Sequence, residues 1–338
     1  MTYTATVPAF LGDRRIGWQE RTHPEPGEGQ LLLAVGANAI CGTDRTQYLE
    51  GSAVVPGHEA AGTVIAAGPG TSTPVGTRGA VFLMDYCGQC RSCRVGATNQ
   101  CFAKRADMGF THDGGYGRYE LVSENVFFAI TDDIDIANAT MLLDVMGTSS
   151  HALRRAELVH SDIESIYIAG AGPIGLGLLV MSRLRYGPEV PVHVSDISPW
   201  RLEFAESLGA IPVDATDPRA VLGIPQPDVA FDASGRESAR RLALDILGKR
   251  GALLCLGHGE GLTLNVVGDL LQPEHAVLGS EYFRFDEFGD NLALLQQHQE
   301  YISRVITHRY PVSEIEEAFA RFFSGESGKV VVVQEGVL

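Results

Sequence analysis

Up to about Asp144 the chain is a succession of short apolar runs broken by glycine and proline. Residues 30–37, 62–67 and 79–83 are apolar or small and of strand length. Turn chemistry separates them, at Pro24-Glu-Pro26-Gly27, Gly68-Pro69-Gly70 and Pro74-Val-Gly76. The pattern predicts an all-β region, a partly open barrel. Beyond Asp144 the rhythm changes. Buried-strand patterns at 165–169, 192–195, 229–232 and 252–256 alternate with helical stretches. In 199–208, Trp200, Leu202, Phe204, Ala205 and Leu208 repeat at mostly helical spacing, with Pro199 in the first turn and Gly209 just past the end. This is the βαβ alternation of a parallel sheet. After about residue 285 the pattern is mixed again, with a helix over 313–323 and a strand over 329–333. The predicted class is α/β: a β-barrel-type domain at 1–145, a doubly wound parallel-sheet domain at 146–283, and a segment at 284–338 that returns to the first domain.

At 338 residues there is room for two domains and a substantial core. The formal charge of −16 argues against nucleic acid or an anionic membrane as the main partner. The longest apolar stretch, 166–181, is interrupted by Gly170, Gly172, Gly175 and Gly177, and it falls short of the ~20 residues of a membrane helix. Met1-Thr-Tyr-Thr-Ala carries no basic region followed by an apolar run, so a cytoplasmic protein is expected.

Four of the six cysteines fall at Cys87, Cys90, Cys93 and Cys101, spaced C-x2-C-x2-C-x7-C within a lobe at 85–103. Four thiolates on so short a tether suit a tetrahedral S4 zinc site with no open coordination position, hence a structural one. Two disulfides would need an oxidising compartment. An iron–sulfur cluster accepts C-x2-C-x2-C, but the bacterial ferredoxin run continues x3-C-P. A zinc ribbon for nucleic acid would want a basic surround. Arg91, Arg94, Lys104 and Arg105 give some charge locally, against an acidic whole.

A strand at 166–169 leads into Gly170-Ala-Gly172-Pro173-Ile174-Gly175, a helix follows, and Asp196 comes 21 residues after Gly175. A lone G-x-G-x-x-G is weak; strand, turn, helix and acid in register make a dinucleotide site. Gly170 permits the tight turn, Gly172 lets a pyrophosphate approach the backbone, and Gly175 allows close helix–strand packing. The phosphates would sit on the helix N-terminus. Asp196 would bind the ribose hydroxyls and repel a 2′-phosphate, which predicts NAD.

Cys41-Gly-Thr43-Asp44 and Gly57-His58-Glu59 supply a thiolate, an imidazole and carboxylates, the mixed donor types of a catalytic zinc. Asp144 lies inside the apolar run Leu142-Leu-Asp144-Val-Met, where a carboxylate needs a metal, a cap or a strong partner.

These motifs, with Gly114-Gly-Tyr-Gly-Arg-Tyr119, occur in an order that resembles the zinc-dependent medium-chain dehydrogenases, the class of alcohol, sorbitol and threonine dehydrogenases. The resemblance spans essentially the whole chain. It implies a GroES-like β domain, a Rossmann domain, and an active site in the cleft between them. Carried over by motif position, Cys41, His58 and Asp144 would hold the catalytic zinc. Glu59 would be an exchanging ligand or a neighbour of the ligands, and Asp44 would orient His58. Thr43 would take the proton of the substrate hydroxyl as hydride passes to NAD. Thr148 would lie near the nicotinamide and Arg201 near the adenosine ribose. Many relatives carry a relay histidine where this chain has Thr46, so proton exit would run through Thr46 and water or another group. The expected cofactors are two zinc ions per chain and NAD. The substrate would be a small secondary alcohol, with a polyol, sugar or cyclitol favoured over a simple secondary alcohol or hydroxy-amino acid. Residues 279–285 would read the substrate or pack an interface. A homo-oligomer, dimer or tetramer, is expected. A zinc scaffold that binds NAD without turnover is the non-enzyme alternative.

Overall fold

The computed structural model describes residues 2–335. The chain opens on an antiparallel hairpin, β1 (Tyr3–Gly12) and β2 (Arg15–His23). The turn places Gly12, Asp13 and Arg14 all at positive φ. Its strands alternate exposed and buried positions weakly, so the hairpin has little signature in the sequence.

Next come β3 (Gln30–Ala39), a short helix at Asp44–Glu50, β4 (Ala60–Ala67) and β5 (Arg78–Val81). The two-residue strands β6 (Met84–Asp85) and β7 (Ala106–Asp107) pair with each other and bracket the cysteine lobe. β8 (Tyr119–Ser123) and β9 (Phe127–Ala129) complete this stretch. Leu31, Leu32 and Leu33 are consecutive and all fully buried, because β3 pairs with β4, β8 and a late strand and is covered on both faces.

The second half carries β10 (Ile166–Ala169), β11 (Val192–Asp196), β12 (Ile211–Asp214), β13 (Val229–Asp232), β14 (Ala252–Cys255) and β15 (Ala276–Gly279). They form one parallel sheet in the order β12-β11-β10-β13-β14-β15. This is the doubly wound order, in which ligands bind beyond the carboxyl ends where the strand order reverses. Its core gathers Tyr167, Ala230, Leu244 and Leu253.

β16 (Ile306–Pro311) and β17 (Lys329–Val333) then join β3, giving the mixed sheet β16-β17-β3-β4-β5-β9 with β8 on β3. A helix at Phe288–Ser303, which the sequence pattern did not reveal, precedes them. By contacts the chain forms two units. The first comprises Met1–Leu143, Phe283–Phe323 and Lys329–Leu338, and the second Asp144–Tyr282 and Ser324–Gly328. In the first, Phe10, Tyr48, Tyr116, Phe319 and Phe322 meet Val330 and Val332 of β17 in one core cluster. A second aromatic group stacks Phe128 on Phe285 and Phe288, with Phe82 edge-on to Phe283.

Candidate active site and metal centres

In the cysteine lobe the sulfurs of Cys90 and Cys93 lie 3.5 Å apart, Cys90 and Cys101 3.9 Å, and Cys87 and Cys93 4.0 Å. A disulfide needs about 2.05 Å, whereas four sulfurs at about 2.3 Å from one zinc sit roughly 3.8 Å from each other. The spacing is that of a tetrahedron. The backbone N–H groups of Cys87 and Cys90 donate to the sulfurs of Cys101 and Cys87, both at 3.3 Å. Backbone donors, that of Cys93 first, hold the Cys90 thiol down to about 6, while burial pushes Cys93 up to about 12. A metal must therefore displace protons to bind here. None of the six cysteines is in a disulfide.

The second group is scattered in sequence and fully gathered in space. Cys41, His58, Glu59 and Asp144 each offer one donor atom, all within 4.8 Å of one another, and all four residues are buried. Cys41 follows β3. His58 sits just before β4, on a loop whose Gly57 has φ +100°. A Cβ on Gly57 would lie 2.8 Å from Asn38 Nδ2 and 2.9 Å from the Tyr116 nitrogen, so only glycine permits this approach. Asp144 opens a π-helical turn, Asp144–Thr148, the kind of irregularity that recurs at functional sites. Thr148 Oγ1 donates to Asp144 Oδ1 at 3.0 Å. Thr148 thus orients the carboxylate, a role the motif position did not suggest.

Asp44 Oδ1 lies 3.3 Å from His58 Nδ1, which leaves the other ring nitrogen of His58 for a metal. Glu59 pairs with Lys329, both fully buried. Lys329 opens the apolar strand Lys-Val-Val-Val-Val, and that lone charge was the signal available in the sequence. Two acids, a thiol and an imidazole, with Asp44 beside them and one lysine against them, make a donor set that favours a divalent cation, and the sulfur, nitrogen and oxygen types suit zinc. Thr43 Oγ1 is buried and, among the described residues, has no hydrogen-bond partner. It stands two residues from Cys41 and is free to bond a substrate oxygen. Thr46 lies exposed on the helix Asp44–Glu50.

In the second unit Gly170 (φ +100°) ends β10, and Gly172 caps the helix Pro173–Tyr186, with Pro173 and Ile174 in its first turn. A Cβ on Gly175 would stand 1.8 Å from the Gly170 carbonyl oxygen, whereas one on Gly172 would meet only Arg201 Nη1 at 4.0 Å. Gly175 is required by packing, and Gly172 leaves room for a ligand. Asp196 ends β11. It accepts from the Ala171 N–H at 2.8 Å and the Ser198 N–H at 2.9 Å, and Arg201 lies 3.9 Å away. The carboxylate is thereby locked beside the glycine turn.

Within 279–285, Ser280 and Phe283 are buried while Gly279 and Glu281 are exposed. Phe283 is fully buried among aromatics, and Arg284 forks onto Asp286 beside Gly96. Cys255, on β14, is half-buried and its thiol is pushed up by burial. His151 is buried in the helix Ser149–Glu157.

The alcohol dehydrogenase GroES-like domain model matches residues 27–132, and the zinc-binding dehydrogenase model matches residues 173–297. An L-threonine 3-dehydrogenase from Chelativorans sp. (strain BNC1) is 32% identical over 336 residues, 93% of this chain and 94% of the relative. A cobalt- and zinc-bound thermostable alcohol dehydrogenase from Pyrobaculum aerophilum is similar in structure, with a TM-score of 0.84 at 26% identity, covering 98% of this chain and 100% of that one. Alcohol dehydrogenase TADH from Thermus sp. ATN1 shares the fold, with a TM-score of 0.87 at 23% identity over 98% and 100% of the two chains. The chain belongs to the zinc-binding alcohol dehydrogenases of the medium-chain family, GroES-like and Rossmann-like in build, and is an oxidoreductase of CH–OH donors.

Proposed function

We propose that this enzyme oxidises a secondary hydroxyl of a polyol, sugar or cyclitol to a ketone with NAD. The observation that carries the reading is the buried donor set of Cys41, His58, Glu59 and Asp144, with the hydroxyl of Thr43, two residues from Cys41, buried and without a partner among the described residues. Zinc held by Cys41, His58 and Asp144 supplies Lewis acidity toward a substrate oxygen. The remaining work belongs to the chain. Asp44 and Thr148 orient two of the ligands, and Lys329 holds Glu59. Thr43 accepts the hydroxyl proton and passes it outward, with Thr46 and water completing the exit. Bound NAD would supply the hydride acceptor, so that the donor would lose two electrons and one proton would be released.

NAD is favoured over NADP because Asp196 is fixed at the end of β11, where it meets ribose hydroxyls and repels a phosphate. Pro173 and Ile174 start the helix whose N-terminus would take the pyrophosphate, and Arg201, beside Asp196, would reach the ribose side. A neutral substrate is favoured because the cation bonded to the donor set, Lys329, is already committed to Glu59. The second reading, a hydroxy-amino acid such as threonine, rests on the 32%-identical relative. Six free thiols suit a reducing cytoplasm. A homodimer or tetramer is favoured by the open edge of β15 and the exposed Val266, Val267 and Leu271 near it in sequence. NADH absorbance with polyols, aminocyclitols, secondary alcohols and L-threonine tests the reading. Turnover of a neutral polyol above threonine is expected; threonine as the best substrate would replace the first reading by the second.

A further inference from the structure

The Asp44 side chain meets both Cys41 and His58. Its Oδ2 accepts the Cys41 N–H at 3.1 Å and its Oδ1 faces His58 Nδ1 at 3.3 Å. A third group completes this carboxylate: the Tyr116 hydroxyl donates to Asp44 Oδ2 at 2.7 Å. Tyr116 is fully buried, its ring stacked on Phe10 at 5.9 Å and edge-on to Phe319 at 5.5 Å. Its backbone grips the histidine loop as well. The Tyr116 N–H donates to the Pro56 carbonyl at 3.1 Å, the Gly115 N–H donates to the Gly57 carbonyl at 2.8 Å, and Gln334 Nε2 donates to the Tyr116 carbonyl at 3.3 Å.

We infer that Tyr116 is a positioning residue for the catalytic metal, acting through Asp44: its hydroxyl fixes the rotation of the carboxylate and draws charge to Oδ2, away from the oxygen that faces His58. The inference rests on the donor-set reading above. A rigid aromatic anchored in the core sets the angle of the phenol, the phenol sets the angle of Asp44, and Asp44 sets His58 and the Cys41 backbone together. Burial, and then the nearby Asp44 charge, push the phenol well above its ordinary range, so it remains a proton donor wherever the enzyme is folded. Partners beyond the ligands are worth 10–100-fold in metal affinity when removed. A group one bond further out should cost about tenfold, the low end of that range.

The test is zinc affinity by chelator competition on the full chain, for wild type, Tyr116→Phe, Asp44→Asn and the double variant. Phenylalanine keeps the ring and its stacking, and the cysteine lobe serves as an internal reference. Tyr116→Phe should weaken one zinc about tenfold and leave the lobe zinc unchanged. In the Asp44→Asn background the same change should have no further effect, because the path runs through Asp44. As a second measurement, cobalt at the catalytic site should show its visible band shifting in opposite directions for Tyr116→Phe and for 3-fluorotyrosine at 116, a stronger donor. Wild type holding zinc only in the lobe overturns the donor-set reading and this inference with it. Wild type holding both zincs while Tyr116→Phe changes neither affinity nor band overturns this inference alone, as does a full tenfold effect that survives Asp44→Asn.

Discussion

The two donor clusters differ in every physical respect. The cysteine lobe is local in sequence, half-exposed and made of one donor type, with sulfur separations that already describe a closed tetrahedron. The group of Cys41, His58, Glu59 and Asp144 is scattered over more than a hundred positions, buried and chemically mixed, and each member is steered by a neighbour. A closed, uniform shell braces a fold. A mixed shell, with the Thr43 hydroxyl two residues from Cys41 unpartnered among the described residues, can meet a substrate.

The sharpest way to break this contrast is to remove one ligand from each cluster. Cys41→Ser or Asp144→Ala should lower kcat by about 10⁴-fold, the scale of losing a Lewis acid, while NADH binding by fluorescence stays near wild type. Near-normal kcat in either variant would remove that residue from the site. Cys93→Ser should do the reverse. The lobe zinc is lost and Tm falls by about 10 °C, yet kcat stays within about tenfold of wild type where the protein is folded. Equal loss of kcat in Cys93→Ser and Cys41→Ser would erase the distinction between a bracing and a working metal.

A buried acid outside both clusters sharpens the point. Glu120, on β8, is fully buried, and among the described residues neither carboxylate oxygen has a hydrogen-bond partner. Burial, with Asp113 adding to it, pushes Glu120 up to about 8. The folded state therefore holds a proton that the unfolded chain releases near 4.3, and folding loses stability as pH rises between the two. The loss should reach about 4 kcal/mol between pH 5 and 8, and Glu120→Gln should flatten it in urea titrations. An unchanged slope would mean that the glutamate is ionised and partnered.

The smallest effect concerns the cofactor. Asp196→Ala should reduce the NAD-over-NADP ratio of kcat/KM by about tenfold, roughly one charge–phosphate repulsion at the surface of a site. An unchanged ratio would move the selection to another residue.

Local features were legible in the sequence. The lobe follows from spacing, the glycine turn from strand–turn–helix order, and the parallel strands from continuous apolar runs such as Ile166–Ala169. The hairpin β1–β2 was not, because its faces alternate weakly around an unremarkable Gly12-Asp-Arg turn. The helix Phe288–Ser303 was also missed, because few of its positions are buried and His298 interrupts its helical backbone. In the candidate site, the donor types of Cys41, His58 and Asp144 were legible in the sequence, and the family resemblance suggested that they form one ligand set. The Lys329–Glu59 pair and the Tyr116–Asp44 bond needed coordinates, since each joins residues far apart in sequence; the Thr148–Asp144 bond, at i, i+4, was open to a spacing rule.

The central claim, that a bracing zinc and a working zinc occupy the two clusters, meets its most direct test in zinc content. Wild type should contain two zincs per chain, one for each donor cluster. Cys41→Ser and Cys93→Ser should each retain one, with the survivor in the other cluster. One zinc in the wild type, or two in Cys41→Ser, would contradict the account.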